Sequence, residues 1–202
     1  MKRARPYNRE TALDAALDLF WAKGFHATSL KDLEAALSMK PGSIYAAFSS
    51  KESLYLAALE RYFENSRDTF RRIGREANSP VAALTDLLRD IGHCARQDQT
   101  QRACMLVKTV LDTTSDNAAI AERSRLYLDK IKSEITAVLE VAQEKGELRA
   151  DIQIDRLARK YQSFLTALRI EAHRGSPKNE LADLAEDLAE DWKRSVDAKR
   201  LK

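Results

Sequence analysis

The sequence has few of the residues that interrupt helices or cross-link chains. It contains only 6 Gly, 4 Pro and 2 Cys in 202 residues. So little Gly and Pro argues against disorder or a β-rich fold, and two cysteines do not make a disulfide framework. No apolar run reaches the roughly 18 residues of a membrane-spanning helix, and the N-terminal stretch MKRARPYNRE lacks the apolar centre of a signal peptide. We therefore expect a cytoplasmic chain that does not engage a membrane.

Sequence signatures of enzymes and of metal sites are also absent. The chain has no Gly-rich phosphate loop, no nucleophile elbow and no zinc motif, and its carboxylates are spread along helix surfaces. The histidines, His26, His93 and His173, show no metal-ligand spacing with the cysteines. We expect a protein that is not an enzyme and that carries no cofactor and no metal.

Positive charge is concentrated at the N-terminus. Of 34 basic and 31 acidic residues in the chain, residues 1–51 hold 8 basic and 5 acidic ones, so residues 52–202 are balanced. Lys2, Arg3 and Arg5 precede the first predicted helix, where a basic arm can follow a phosphate backbone or enter a DNA minor groove. A solubilising, disordered tail is an equally good interpretation of these three residues.

Residues 28–51, TSLKDLEAALSMKPGSIYAAFSSK, have the layout of a DNA-reading helix-turn-helix. Thr28 or Ser29 can cap a first short helix, and Pro41 suits the first turn of a second. Ser49 and Glu52 form a capping-box pattern at the start of a third helix. The apolar residues of the two short helices are spaced for one buried stripe on each, and they are Leu30, Leu33, Leu37, Ile44 and Phe48.

Periodic apolar residues predict further helices on both sides of this segment, about nine in all. Gly24, Gly146 and Gly175 follow three of them, where a left-handed cap is favoured. Besides the two short helices, we expect helices at 8–23, from 51 to the low seventies, from 79 onward, and at 101–112, 116–145, 154–174 and 177–199. The fold class is therefore predicted to be all-α, with a small N-terminal domain at residues 1–51 and a larger domain at residues 52–202.

Tyr45 and Phe48, followed by Ser50, Lys51 and Glu52, resemble the N-terminal signature of the tetracycline-repressor-type (TetR/AcrR) family of bacterial transcription regulators. The resemblance is strong over residues 8 to about 60. It implies a three-helix, helix-turn-helix DNA-binding domain, followed by a helical domain for effector binding and dimerisation. It also implies a homodimer that binds an inverted-repeat operator in double-stranded DNA, usually as a repressor, and that a small-molecule effector releases.

The resemblance assigns DNA contacts to the short helices and their ends. Phosphate contacts are implied for Thr28, Tyr45 and Lys51, and such contacts set the register of a protein on DNA. Lys40, Gly42 and Ser43 lie at the leading end of the recognition helix, where Lys40 can reach a guanine edge and Gly42 permits close approach. Structural interpretations stay open, because Gly42 can serve only the turn and Tyr45 can belong partly to the core.

Two departures from the family pattern concern the same helices. Ser38 stands where the family often has Gly, so we expect a less tight turn, because a left-handed conformation costs a non-glycine residue energy. Ala46 and Ala47 replace a bulkier pair and so remove base contacts, which leaves the operator sequence open.

The last two predicted helices carry opposite charges and share an apolar seam. Basic residues such as Arg156 and Arg169 lie on one, and acidic residues such as Glu180 and Asp187 lie on the other. Two such hairpins packed across a two-fold axis make a four-helix bundle, which is the dimer interface that the resemblance implies. The predicted interface residues are Leu168, Leu181, Leu184, Leu188 and Trp192. The alternative is a charged, solvated face within one monomer.

The two cysteines have different interpretations. Cys94 lies on an apolar stripe and is interpreted as a packing residue. The segment 103–108, ACMLVK, resembles a Gly-Cys-Leu-x-Val-Lys stretch of some family members, including the repressor of N-ethylmaleimide reductase, whose matching cysteine senses electrophiles. Cys104 would lie near a helix N-terminus close to Arg102 and Lys108, which favours the reactive thiolate form. A buried, unreactive cysteine is the alternative.

A noncovalent effector is the commoner mechanism for such a regulator. An apolar or aromatic molecule would enter between the linker helix that begins near Lys51 and the helices after it. Candidate effector residues besides Cys104 are His93, Met105, Lys108, Tyr127, Tyr161 and Phe164, although aromatic and Met residues at helical spacing are often core. The rival function is a helical adaptor that dimerises and binds proteins, and the steep salt dependence of DNA binding separates the two.

Overall fold

The computed structural model describes residues 8–93, 103–113 and 117–197, and these residues form nine α-helices and no strand. The prediction of an all-α fold is therefore confirmed for the described part of the chain. The helices are α1 (Arg9–Lys23), α2 (Leu30–Leu37), α3 (Pro41–Phe48), α4 (Lys51–Glu76), α5 (Pro80–His93), α6 (Met105–Asp112), α7 (Ala118–Glu144), α8 (Ile154–His173) and α9 (Lys178–Val196). None of these nine helices is long and apolar enough to span a bilayer.

Side-chain caps start the first two helices. Asn8 Oδ1 accepts the backbone N–H of Glu10 at 3.0 Å, which satisfies a donor at the start of α1. At the start of α2, Ser29 Oγ accepts the N–H of Asp32 at 3.2 Å, and the Asp32 carboxylate accepts the N–H of Ser29 at 2.8 Å. This reciprocal pair is a capping box, which satisfies two donors that no helical carbonyl can reach.

The junctions around α3 differ in detail from the sequence prediction. The capping box expected at Ser49 and Glu52 does not form, because Ser49 ends α3 with a φ of 67°. Ser50 starts α4 instead and accepts the N–H of Ser53 at 3.0 Å. Ser38 adopts the left-handed conformation, with φ 53° and ψ 38°, at the end of α2. Serine in place of glycine there costs roughly 1 kcal/mol, but it still allows the left-handed turn.

The three N-terminal helices, which we call the head, close around an aromatic core. The Tyr55 ring, from α4, meets the Phe20 ring edge-on at 4.9 Å and the Phe25 ring at 5.1 Å. Burying a side chain of this size stabilises the fold by about 2 kcal/mol. The other buried anchors of the head include Leu33, Ile44 and Phe48.

Helix α4 joins the head to the remaining helices, which we call the body. It runs for 26 residues without a break and packs on α1 in the head and on α7 in the body. It begins at Lys51, where the domain boundary is predicted, so the same rigid element contributes to both parts.

The body is built on α5, α7, α8 and α9. Helix α9 packs on α8, as the predicted C-terminal hairpin requires, but its most extensive contact is with α5. Gly92 allows this contact, because a Cβ there would lie 2.4 Å from the Ala185 Cβ. The Tyr161 hydroxyl donates to the Leu84 carbonyl at 2.6 Å, and its ring lies 4.7 Å from that of Trp192.

Candidate nucleic-acid interface and ligand cavity

Helix α3 presents one face to solvent. Ile44 and Phe48 are buried and hold the helix against the head, whereas Gly42, Ser43 and Tyr45 are exposed. Tyr45 is 44% exposed, so it is a surface residue and not part of the core. A short helix held in this way can enter a groove of DNA with its outward face.

Gly42 is not required by the fold of α3. Its φ is not in the left-handed region, and an added Cβ would meet no heavy atom within 4 Å. Neither turn geometry nor packing within the protein therefore explains a glycine at this position. A bare backbone suits the close approach of another molecule. Lys40, the exposed N-cap residue of α3, adds a positive charge at the same edge.

Thr28 and Lys51 are less exposed than the resemblance implied. The Thr28 side chain is buried, and its hydroxyl donates to the Gly24 carbonyl at 2.7 Å. We therefore exclude the Thr28 hydroxyl from phosphate binding, because it stabilises the end of α1 instead. The Lys51 ammonium lies 4.6 Å from the centre of the Phe25 ring. Partial burial lowers the pKa of Lys51, and the nearby Asp32 carboxylate opposes that shift.

A cavity of about 590 Å³ lies between the head and the body, with walls formed by α1, α4, α5, α6, α7 and α8. This volume is in the range of small-molecule sites, which span roughly 300–1,000 Å³. Because α1 belongs to the head, a molecule in the cavity touches head and body at once. The apolar lining residues are Leu17, Trp21, Phe70, Leu87, Leu106, Leu128, Ile131 and Leu165.

Three functional side chains from three helices meet at one wall of the cavity. Arg169 Nη1, from α8, donates to the Tyr62 hydroxyl, from α4, at 3.0 Å. The thiol of Cys104, at the N-cap of α6, lies against both groups. Burial raises the pKa of Tyr62 above its ordinary value, although the Arg169 charge opposes the shift. The phenol is therefore protonated at neutral pH, beside a charged guanidinium.

Most residues predicted to bind an effector lie outside this cavity. Cys104 lines it, but Met105, Tyr127 and Tyr161 are buried in the core. Tyr127 stacks on Phe63 with the ring centres 4.6 Å apart, which accounts for its position without a ligand. We therefore correct the prediction for these three residues. Aromatic and Met residues at helical spacing fill the core here, as their alternative interpretation proposed.

Lys108 faces α1 and not Cys104. Its ammonium donates to the Trp21 carbonyl at 3.0 Å and reaches the next carbonyl at 3.5 Å. The Trp21 indole N–H donates in turn to the Ala103 carbonyl at 2.7 Å. These bonds join the end of α1 to the start of α6. Among the described residues, Arg169 is a basic group beside Cys104, and it comes from a distant part of the chain.

The sequence analysis did not place Arg169 at the candidate effector site. The sequence assigns it to the charged surface of the last two helices. It follows the buried Leu165 by one helical turn and the buried Tyr161 by two turns, so it lies on the inward stripe of α8. Its spacing from these buried residues could have indicated that Arg169 faces the interior of the protein, although it is charged.

The outer face of the α8–α9 hairpin keeps part of its apolar surface accessible. Ile170 is 44% exposed, and Phe164, Leu184 and Leu188 are partly buried. The remaining predicted interface residues, Leu168, Leu181 and Trp192, are buried within one chain. We correct their assignment, because a residue covered by its own chain offers no surface to a second copy.

The remaining predicted site residues are exposed, buried or outside the described part of the chain. His93 is exposed at the end of α5, away from the cavity. Arg3, Arg5 and Cys94 lie outside the described residues. Cys104 is free and buried. Within the part of the chain that the structure describes, no three His, Cys, Asp or Glu side chains are grouped as a metal site needs.

The geometry agrees with comparisons to known proteins. The HTH-type transcriptional repressor ComR of Escherichia coli (strain K12) is 28% identical over 186 residues, which span 91% of this chain and 89% of ComR. A cysteine-substituted variant of the TetR family regulator CifR, complexed with 26-bp double-strand operator DNA, matches with a TM-score of 0.83 and 28% identity over 94% of this chain and 99% of that one. Salmonella enterica GusR matches with a TM-score of 0.73 and 26% identity over 93% and 94% of the two chains.

Two family models match separate parts of the chain. The model of bacterial regulatory proteins of the tetR family matches residues 12–58, which cover most of the head and the start of α4. The model of the tetracyclin repressor-like C-terminal domain matches residues 80–174 in the body. Together they cover more than half of the sequence, and the chain belongs to the TetR family of bacterial transcriptional regulators.

Proposed function

We propose that this chain is a homodimeric repressor that binds an inverted-repeat operator and that a small-molecule effector releases. The observation that carries the proposal is the outward face of α3, where Gly42, Ser43 and Tyr45 are exposed on a helix held by buried anchors. A recognition helix of this kind reads base edges in the major groove. The similar CifR variant is complexed with operator DNA, which supports the same use of α3 here.

Some of the proposed contacts position the protein on the phosphate backbone, and others read the base sequence. Tyr45 and Lys51 bind phosphates, because Tyr45 is exposed beside the reading face and Lys51 begins α4, whose N-terminus attracts anions. Lys40 and Ser43 face base edges at the leading end of α3, while Gly42 lets the backbone come close. Arg3 and Arg5 extend the contacts along the DNA as a basic arm.

Dimerisation is proposed through the outer face of the α8–α9 hairpin. Its apolar centre consists of Ile170, Phe164, Leu184 and Leu188, which one chain leaves partly uncovered. Two hairpins packed on this face form a four-helix bundle around a two-fold axis. The two recognition helices then read half-sites about 34 Å apart, which is why the operator is expected to be an inverted repeat.

The effector is placed in the cavity that α1 shares with the body. Leu17 and Trp21 of α1 contribute to the cavity wall, so a bound molecule contacts the head directly. A ligand that binds one of two dimer shapes more tightly shifts the population toward that shape. In the proposed mechanism, ligand binding moves α1 against α4 and changes the separation of the two α3 helices.

Cys104 favours a second mode of release, in which an electrophile adds covalently to its sulfur. The thiol is free, lines the cavity and lies against the Arg169 guanidinium. The thiolate is the form of a cysteine that attacks electrophiles. We expect N-ethylmaleimide to release wild type and Cys94→Ser from operator, but not Cys104→Ser. Release of Cys104→Ser to the wild-type extent would exclude this mode and leave the noncovalent one.

Fluorescence anisotropy tests the main proposal. The protein is titrated onto labelled DNA from upstream of its own gene and onto scrambled DNA of equal length, at several salt concentrations. We expect tight preference for an inverted repeat, with affinity falling steeply as salt rises. Equal, weak binding to both DNAs would favour the rival helical adaptor.

The relatives are transcriptional regulators, which are not enzymes. We infer that this chain likewise has no catalytic activity and acts in the cytoplasm, where operator DNA is accessible. Assays for hydrolase or transferase activity on the purified dimer should therefore show no turnover, and turnover above the rate without protein would contradict this inference.

A further inference from the structure

One wall of the cavity carries a positive charge that no carboxylate of the described residues pairs with. Arg169 donates to the Tyr62 hydroxyl, and among the described residues it forms no ion pair. The second arginine of the lining, Arg61, is paired with Asp14 at 3.1 Å. Asp18, the other lining carboxylate, has an interaction of its own. The two arginines therefore differ, since only Arg61 has its counter-charge within the described protein.

Tyr62 does not supply the missing negative charge. Its burial raises the pKa of the phenol, so the group beside Arg169 is neutral at physiological pH. A cation that is partly withdrawn from water and lacks a counter-ion is unfavourable. A bound anion would therefore lower the free energy of this partly buried charge.

The surroundings of Arg169 define the rest of the ligand. A guanidinium presents its N–H donors as a planar fork that matches both oxygens of a carboxylate. Beyond this charge the lining is mixed, and its apolar side chains, with Trp21, Leu106, Ile131 and Leu165 among them, can cover the apolar part of a ligand. A volume of about 590 Å³ accommodates a body the size of a fused aromatic ring or a medium-length alkyl chain.

We propose that the cavity binds an organic carboxylate, an apolar body that carries one negative charge, with Arg169 as its counter-ion. The inference rests on the proposed effector-responsive function and names the chemical class of the effector. It also gives α8 a part in sensing, because the ligand would neutralise a charge on α8 while it contacts Trp21 of α1.

Matched pairs of acids and primary amides test this proposal. The probes are 1-naphthylacetic acid with 1-naphthylacetamide, 4-phenylbutyric acid with its amide, and octanoic acid with its amide. Binding to the full-length protein is measured by isothermal titration calorimetry at pH 7. We expect at least one acid to bind at least about tenfold more tightly than its amide, because a charged hydrogen bond is stronger than a neutral one. The absence of any such preference, or of binding by all three acids, would overturn the proposal.

Variants assign the preference to Arg169. Arg169→Met should bind the acid no more tightly than the amide, whereas Arg174→Met, at the exposed C-cap of α8 outside the lining, should keep the wild-type preference. Arg169→Gln serves if the Met variant does not fold, because it removes the charge and keeps a donor for Tyr62. An unchanged preference in the folded neutral variant would overturn the role of Arg169.

Operator binding measured on the same preparations separates this inference from the proposed function. If the wild-type protein binds operator but does not distinguish acid from amide, the proposed regulator function stands and the proposed carboxylate site is wrong. If the protein prefers acids through Arg169 but binds no operator, the proposed carboxylate site stands and the proposed regulator function is wrong.

Discussion

The Trp21 indole N–H donates a 2.7 Å hydrogen bond to the carbonyl of Ala103, 82 residues further along the chain. Trp21 belongs to α1 in the head, whereas Ala103 comes directly before Cys104 and the start of α6. Both Trp21 and Cys104 line the cavity. The head is therefore bonded to the body at the site where an effector is proposed to act.

Replacing Trp21 with Phe keeps an aromatic ring and removes the indole donor to Ala103. We expect the free energy of unfolding to fall by about 1 kcal/mol and amide exchange in the last turn of α1 to become faster. Denaturant titration and hydrogen exchange measure these effects. Leu111→Ala is the control, because Leu111 is 76% exposed on α6. Equal changes in the two variants would mean that the Trp21 bond does not hold the head to α6.

Two glycine substitutions should have opposite effects. Gly42→Ala meets no atom within 4 Å and should leave stability unchanged or raise it by up to about 1 kcal/mol, while it weakens operator binding. Gly92→Ala places a Cβ 2.4 Å from that of Ala185 and should destabilise the protein by about 1–3 kcal/mol. Thermal unfolding and anisotropy measure the two effects. Full operator affinity in Gly42→Ala would show that DNA does not approach the backbone there.

Tyr45 and Lys40 should affect DNA binding in different ways. Tyr45→Ala removes a neutral phosphate contact from the surface, so we expect an intact dimer, at least about tenfold weaker operator binding and an unchanged salt slope. Lys40→Ala removes a charge at the leading end of α3 and should reduce the slope of log affinity against log salt by about 1 if Lys40 binds a phosphate. A contact with guanine should instead relax the sequence preference. Wild-type affinity in Tyr45→Ala would contradict the assignment of this face.

Acid should weaken the head through Asp32. The Lys23 ammonium and the Ser29 N–H hold the pKa of Asp32 well below its ordinary value of 3.8. A carboxylate with a lowered pKa in the folded state stabilises the fold fully above its unfolded-state pKa, and this effect is lost as pH falls through the folded-state pKa.

The Asp32→Asn substitution tests this dependence. We expect the variant to melt at a lower temperature than wild type at pH 7, and the difference to shrink as pH falls below about 4. Asp183→Asn, at an exposed position on α9, is the control. A difference that stays constant from pH 7 to pH 3 would contradict the assigned role of Asp32.

The proposed dimer depends on an apolar residue that one chain leaves exposed. Ile170→Asp should yield a folded monomer by size-exclusion chromatography with light scattering, and it should weaken operator binding, because half-sites are no longer read together. Leu126→Asp provides a matched control, since Leu126 is 45% exposed and Ile170 is 44% exposed. A dimer that survives Ile170→Asp would place the interface elsewhere.

Helix positions could be predicted where the determining residues are local. Asn8 and Gly24 bound α1 in both sequence and structure, because a cap acts on donors or acceptors within one turn. The adjacent serines Ser49 and Ser50 show the limit of this approach. Both can cap a helix, and the choice depends on where α3 ends against the core.

Apolar periodicity predicts the positions of some candidate site residues better than those of others. The spacing of Ile44 and Phe48 predicts the buried stripe of α3, whereas the exposure of Tyr45, which the sequence left open, needed the structure. Tyr127 and Tyr161 show the opposite case, because a buried aromatic residue has the same spacing whether it faces a ligand or the core. Their assignment needed the positions of the neighbouring helices.

Residues close together in the sequence were enough to predict the helical class, the approximate bounds of most helices and the buried stripe of α3. These features depend on caps, turn residues and apolar spacing within a few turns. The tertiary structure was needed to show that α9 packs mainly on α5 and that Tyr62, Cys104 and Arg169 meet at one cavity wall. Residues so far apart in the chain are brought together by the packing of whole helices, and spacing within one helix does not specify which helices become neighbours.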